Sequence, residues 1–322
     1  MKAIVQDRYG SPDVLQLTDI AKPVVGDDDV LVRVHGAAVH IGDWHLMTGL
    51  PYLLRAGYGL RAPKVRVRGM DVAGRVEAVG ANVTQFRPGD EVFGSCDGAF
   101  AEYACARADR LAPKPAHLTF EQAAAVPVSG CTALQGLRDK GQVGPGQQVL
   151  IIGAAGGVGA FAVQLAKAFG AEVTGVCSTT KVDLVRSIGA DDVIDYTRDD
   201  FADRARKYDV ILDTAGNRSL SHLRRALTAQ GTLVIIGGEG GGRWFGGVDR
   251  QLRALALAPF VSQKLCGLFS MQRTEDLQFL SELIEAGKVR PVIDRTYPLS
   301  AVPDAIRYLA GGHARGKIVI TV

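Results

Sequence analysis

The sequence predicts an α/β protein of two domains, one a doubly wound parallel sheet and the other rich in β-strands. Three observations carry this. A chain of 322 residues exceeds what a single core ordinarily holds. From Val149 onward, short apolar runs alternate with helical segments, the pattern of a parallel sheet with right-handed crossovers. Residues 1 to about 110 instead show alternation and β-branched runs between Gly, Pro and Asp clusters.

The parallel-sheet domain is organised around Gly146–Lys167, G-Q-Q-V-L-I-I-G-A-A-G-G-V-G-A-F-A-V-Q-L-A-K. Val149–Ile152 is a continuous apolar run, the mark of a strand buried on both faces. Gly153, Gly156, Gly157 and Gly159 follow, and then a helix-forming segment with Phe161, Val163, Leu165 and Ala166. Strand, glycine turn and helix in that order read as a dinucleotide-binding fingerprint. Without side chains the turn admits a pyrophosphate to main-chain N–H groups at a helix N-terminus, where the dipole favours negative charge. Strands are expected at 149–153, 172–177, 192–194, 208–213, 231–237 and 264–269, and helices at 157–169, 180–188, 200–206 and 218–228. The connection Gly238–Gln263 carries Gly240-Gly241-Gly242 and reads as either a mobile flap or an inert surface insertion.

In the β-rich part, strands are expected at Lys2–Gln6, Val30–His35, Asp71–Val79 and Glu91–Phe93, with Pro88-Gly89 turning the chain before the last. His35–Arg68 is irregular and dense in aromatics, glycine and charge, a composition typical of functional loops. Thr119 and Gln122 make a capping box that opens a helix. Pro127 breaks it before a second helix over about 130–140. Leu277, Leu280, Leu283 and Ile284 form one stripe of a helix over 274–286 that Gly287 ends. A helix over 301–309 and a terminal strand Lys317–Val322 read as returning to the first domain.

Apolar content of 47% and charged content of 22% are those of a globular chain. A net charge of +3 supplies no clustered basic surface for nucleic acid. Cys96, Cys105, Cys131, Cys177 and Cys266 are scattered without a C-x-x-C pair, against both a disulfide framework and a zinc knuckle. The opening M-K-A-I-V-Q-D-R lacks the apolar core of a signal peptide. No apolar run approaches the ~18 residues of a membrane span. Leu252–Val261, broken by Arg253 and Pro259, reads as packing on its own domain. A cytoplasmic protein with no integral membrane segment is expected.

This order of parts resembles the medium-chain dehydrogenase/reductase superfamily, and within it the zinc-free quinone oxidoreductase (ζ-crystallin-like) branch. Ala154-Ala155-Gly156-Gly157-Val158-Gly159, Gln164 and Lys167 carry the likeness. Gly69-Met70-Asp71-Val72-Ala73-Gly74, Arg87-Pro88-Gly89-Asp90-Glu91-Val92, Ser129-Gly130-Cys131-Thr132-Ala133 and Gly316-Lys317-Ile318-Val319-Ile320 support it. The resemblance implies a GroES-like, partly open β-barrel catalytic domain at 1–122 and 270–322, a Rossmann domain at 123–269 and a cleft between them. It also implies a homodimer joined through the last Rossmann strand.

Zinc-dependent relatives hold catalytic metal through two Cys and a His, and the matching positions here are His40, Met70 and about Val128. A thioether and an alkyl group do not replace thiolate and imidazole around Zn²⁺. His35, His40 and His45 recur every five residues, which matches no ligand box, so no metal is expected. Without a Lewis acid, the substrate must carry its own electron sink, as quinones and α,β-unsaturated carbonyls do.

NAD sites place an acid about 20 residues after the glycines to take the ribose 2′-hydroxyl. Here the second strand ends in Cys177 and Ser178, Lys181 follows, and Asp183 falls a turn later. That neutral-to-basic end favours the 2′-phosphate of NADPH. Carried over from the resembling branch, Tyr196 would lie beside that phosphate. Gly156, Gly157 and Val158 would cradle the pyrophosphate, and Thr132, Phe269 and Ser270 would meet the nicotinamide. Asn217 and Gly237 would line the cofactor cleft, with Lys317 near the phosphates. His40 and Tyr52 are the candidate catalytic residues of the acceptor pocket, with Asp43 and Trp44. His40, where the branch often has Asn, reads either as a donor to the substrate oxygen or as a structural histidine. Asp43 reads as capping a short helix. The expected activity is NADPH-dependent hydride transfer to a quinone or α,β-unsaturated carbonyl. Enoyl-thioester reduction and a non-catalytic NADPH-binding role are the alternatives.

Overall fold

The structure, a computed structural model, describes residues 1–238 and 242–322; Gly240 and Gly241 of the expected flap lie outside the described residues. The chain divides into two compact units. Unit 1 comprises Met1–Cys131, Gln272–Ala286 and Pro291–Val322; unit 2 comprises Thr132–Met271 and Gly287–Arg290.

In unit 1, β1 (Lys2–Val5) pairs antiparallel with β2 (Gln16–Asp19). The long strand β3 (Asp29–Val39) is followed by α1 (Ile41–Thr48) and α2 (Arg55–Tyr58). Then come β4 (Asp71–Val79), β5 (Glu91–Ser95), β6 (Tyr103–Arg107) and β7 (Leu111–Pro113). Next are α3 (Phe120–Ala124), opened by the expected Thr119–Gln122 box, and α4 (Pro127–Leu134). Pro127 begins α4 rather than breaking a helix; its missing N–H costs nothing in a first turn.

Unit 2 contains β8 (Gln148–Ile152), α5 (Gly157–Ala168), β9 (Glu172–Cys177), α6 (Val182–Ser187) and β10 (Asp192–Asp195). It continues with β11 (Tyr208–Asp213), α7 (Leu220–Ala226), β12 (Leu227–Ile235), α8 (Val248–Leu257) and β13 (Lys264–Gly267). These six strands form one parallel sheet in the order β10-β9-β8-β11-β12-β13. That is the doubly wound dinucleotide order, with its reversal between β8 and β11. Leu150, Ile152, Phe201, Tyr208, Ile211 and Leu233 fill one face.

The chain then returns to unit 1 through α9 (Thr274–Glu285), β14 (Ile293–Pro298), α10 (Val302–Ala310) and β15 (Lys317–Thr321). The seven-stranded sheet runs β14-β15-β3-β4-β5-β7, and β6 pairs with β3. Its core includes Val32, Val72, Phe100, Leu111, Ile306 and Ile318.

Unit 1 extends to Cys131: α3 packs on β3 and β4, and Val128 donates its N–H to Asp71 Oδ1. Residues 200–206 are turns, not a helix: Asp200 Oδ1 takes the Ala202 N–H, a local bond that competes with helical pairing. In the connection 238–263, α8 occupies the middle.

Candidate functional site

The nucleotide half belongs to unit 2. Gly153, at φ +81°, turns the chain out of β8, a conformation open to glycine at little cost. Gly156 caps α5, and Gly157 and Val158 form its first turn, all half-buried. A Cβ on Gly159 would stand 2.1 Å from Gly153 O, so only glycine lets α5 start this close to the strand. The first-turn N–H groups of α5 have no partner inside the helix, and the dipole adds to their pull on an anion. They lie where β8 and β11 part, the crevice in which such sheets bind ligands.

Around that point the strand ends are tied together. Thr214 donates its hydroxyl to Ile152 O at 2.7 Å. Asp213, fully buried, accepts from Gly216 N at 3.0 Å and pairs with Arg250 Nη2 at 2.6 Å. Gly237 follows β12 and donates to Asp213 O at 3.1 Å; Asn217 is exposed just after β11.

Ser178, Lys181 and Tyr196 gather at the ends of β9 and β10, where Tyr196 N–H bonds Cys177 O at 3.1 Å. Tyr196 is half-exposed, and Asp183 is exposed in the first turn of α6. Burial pushes the Cys177 thiol up to about 11, so it sits there as a neutral group. The acid nearest this end is Asp195, whose carboxylate takes the Thr179 hydroxyl at 2.5 Å and the Thr197 hydroxyl at 2.7 Å. The Thr179 bond, chiefly, holds its carboxyl below the usual range.

Thr132 is buried near the end of α4. One turn on, the Gln135 amide donates to Met271 O and accepts from Met271 N at 3.2 Å. That clamp fixes the Phe269–Met271 segment, with Phe269 exposed and the Ser270 hydroxyl buried without a hydrogen-bond partner. Gln135 was not legible as a site residue, since its partner lies 136 positions away.

The residues expected to line an acceptor pocket lie in unit 1. His40 precedes α1, and its N–H donates to Asp43 Oδ2 at 2.9 Å. Asp43 thus caps the helix from its first turn, and its Oδ2 also lies 3.6 Å from His40 Nε2. His40 Nε2 and Asp43 Oδ1 are buried without hydrogen-bond partners. Burial pushes the Asp43 carboxyl above the ordinary carboxylate range. Trp44 packs against the unit 1 core. Tyr52 is half-buried, with the Arg55 guanidinium 4.7 Å from its ring centre. His45 Nδ1 lies 2.7 Å from Leu50 O, and His35 stacks on Phe120 at 4.6 Å. The three histidines therefore go to separate places, which fits no shared ligand set. Among the described residues no three metal-ligating side chains converge, and Met70 and Val128 offer a thioether and an alkyl group.

Lys317 departs from expectation. Its ammonium is buried, 2.9 Å from Asp71 Oδ2 and 3.2 Å from Ser129 Oγ. Held in that pair, it is a structural partner of Asp71. The Asp71–Lys317 pair spans 246 positions of sequence and acts on Asp43 as well, Asp71 raising and Lys317 lowering its pKa.

Comparison with known proteins adds the following. Residues 26–116 match the alcohol dehydrogenase GroES-like domain family, and residues 188–320 the family described as zinc-binding dehydrogenase. The Mus musculus mitochondrial NAD(P)H oxidoreductase RTN4IP1 is 34% identical over 100% of this chain and 89% of its own. The chloroplastic NADPH-dependent alkenal/one oxidoreductase of Arabidopsis thaliana is 35% identical over 99% of this chain and 79% of its own. The solved quinone oxidoreductase of Coxiella burnetii superposes with a TM-score of 0.88 at 31% identity, covering 100% of this chain and 99% of that one.

Proposed function

The chain belongs to the quinone and alkenal oxidoreductases of the medium-chain dehydrogenase/reductase superfamily, and from that premise we propose that it is an NADPH-dependent reductase of quinones or α,β-unsaturated carbonyls that needs no metal. One observation supports this reading above the rest. The Gly156–Val158 cradle neighbours a β9 that ends in Cys177 and Ser178, with Lys181 beyond, where NAD sites carry an acid.

In this proposal Gly156, Gly157 and Val158 take the pyrophosphate, and Ser178, Lys181 and Tyr196 the 2′-phosphate end. Asn217 and Gly237 line the middle, and Thr132, Phe269 and Ser270 meet the nicotinamide. When bound, the dinucleotide supplies a hydride, and the acceptor takes that hydride and one proton. A conjugated acceptor spreads the arriving charge onto its own oxygen, so the missing zinc ligands at Met70 and Val128 remove nothing the reaction requires. In this reading His40 gives the proton, with Asp43 Oδ2 3.6 Å from its Nε2, and Trp44 and Tyr52 serve as pocket walls. The test is the initial rate of NADPH and NADH oxidation against quinones, enones, enoyl-thioesters and alcohols, with and without EDTA. Turnover of quinones or enones with NADPH preferred and no effect of EDTA is expected. Stoichiometric zinc with EDTA inhibition would overturn it, and cofactor binding with no turnover would assign the chain a non-catalytic role.

The proposal extends to a homodimer through β13. That strand ends the unit 2 sheet, and Leu252, Leu255 and Phe260 nearby are exposed. Light scattering at the monomer mass would remove it. It also places the protein in the cytoplasm, which cell fractionation checks. Among the described residues no helix is long and apolar enough to cross a membrane.

A further inference from the structure

Arg68, in the turn before β4, is 6% exposed. Its backbone is used, N–H to Ile4 O and C=O from Phe100 N. Of its side chain, Nε is buried without a hydrogen-bond partner, and no carboxylate among the described residues closes to within 4.0 Å of the guanidinium. The group lines a small, open cleft of unit 1 with a volume of about 100 Å³. Leu46, Val65 and Met70 form apolar parts of the same wall, with Lys64 and Asp97 beside them. Met70 stands at one of the positions matched to a zinc ligand of the zinc-dependent relatives.

We propose that this cleft binds the acceptor by an anionic group, a carboxylate paired to Arg68, so that the preferred substrates are conjugated carbonyls carrying an acid. The inference rests on the reductase reading and specifies its substrate class. A cation buried without a partner is costly, and the cost is recovered when a counter-charge arrives. Lysine relieves such a cost by losing its proton; arginine keeps its charge and presents a fork that matches a carboxylate. Burial lowers the Arg68 pKa, while Asp43, Tyr9 and Asp97 act on it from a distance in the opposite sense. Asp43 spends Oδ2 on the His40 N–H, and Asp97 is exposed. A singly charged ligand fits better than a phosphate dianion, because Asp97 shares the wall and the remaining cation, Lys64, is exposed and bonded to Gly57 O. The apolar wall suits the ring or chain that bears the acid.

The experiment compares 4-carboxycinnamaldehyde with its methyl ester, which differ in charge at a point remote from the reacting alkene. In the wild type, kcat/KM for the acid is expected to exceed that for the ester by about tenfold or more, the scale of one charge-assisted hydrogen bond. In Arg68→Met that ratio falls toward one, and in Arg68→Lys it is partly kept. The Tm of Arg68→Met is expected to hold or rise, because a buried unpaired charge has been removed. A wild-type ratio at or below one, or the same ratio in Arg68→Met, overturns the inference; the first needs no variant to fold. Calorimetric titration with 4-carboxycinnamate separates the two levels. Binding to wild type and not to Arg68→Met, with no turnover of either aldehyde, upholds the anion site and sinks the reductase reading. Turnover of both aldehydes without charge preference does the reverse.

Discussion

The two units build their halves of the chemistry from different materials. Unit 2 presents backbone: glycines 153, 156, 157 and 159 and the first turn of α5 offer N–H groups and a dipole. The ion pair of buried Asp213 with Arg250 ties strand β11 to α8. Unit 1 presents buried side chains instead. Asp43, Arg68, Asp71 and Lys317 all lie in its interior, and they act on one another electrostatically. The difference teaches which half tolerates change. A backbone site depends on shape and resists charge substitution, whereas a site of buried charges rests on pairings that fail when one member is lost.

The sharpest contrast comes from Lys317→Met. It strands the Asp71 carboxylate, so it is expected to cost about 3–5 kcal/mol of stability, and Asp71→Asn in the same chain should restore much of that. Urea unfolding of the single and double variants measures it; independent losses that simply add would dissolve the pair. Gly159→Ala attacks unit 2 through shape alone. The added methyl meets Gly153 O, and a loss of about 1–3 kcal/mol, with weakened NADPH binding by fluorescence titration, is expected. An unchanged NADPH Kd would remove the close start of α5 from the cofactor site.

Lys181→Ala should raise the KM for NADPH about tenfold, as removal of one charged hydrogen bond does at a partly exposed site, and leave NADH nearly unaffected. Equal effects on the two cofactors would take Lys181 out of the 2′-phosphate role. The smallest expected effect is that of Asp43→Asn. Burial raises the Asp43 pKa above its unfolded value of 3.8, so the folded state holds this proton more tightly. Asp43 therefore penalises folding above its folded pKa, and the penalty fades as pH falls toward the unfolded value. Asn keeps an oxygen for the His40 N–H, so the variant should be more stable than wild type at neutral pH, with the gap closing in acid. A gap independent of pH would show that the carboxyl is not the cause.

Unit 2 was readable from residues alone because its determinants are local. The apolar run Val149–Ile152, the glycines and the helix formers are contiguous, and backbone conformation and burial period decide each of them. The Thr119 box and the end of the helix at Gly287 were readable for the same reason. The turns at 200–206 were not, because a single side-chain bond from Asp200 outweighs helix propensity there. What only the tertiary structure decided is the placement of charge in unit 1. The resemblance put Lys317 near the phosphates, and its buried partner Asp71 lies 246 residues away. The burial of Arg68 was not legible either, because its backbone is held by Ile4 and Phe100, far away in sequence, and that placement leaves Nε buried without a partner. Desolvation and Coulomb pairing depend on distances in space, which sequence spacing does not encode.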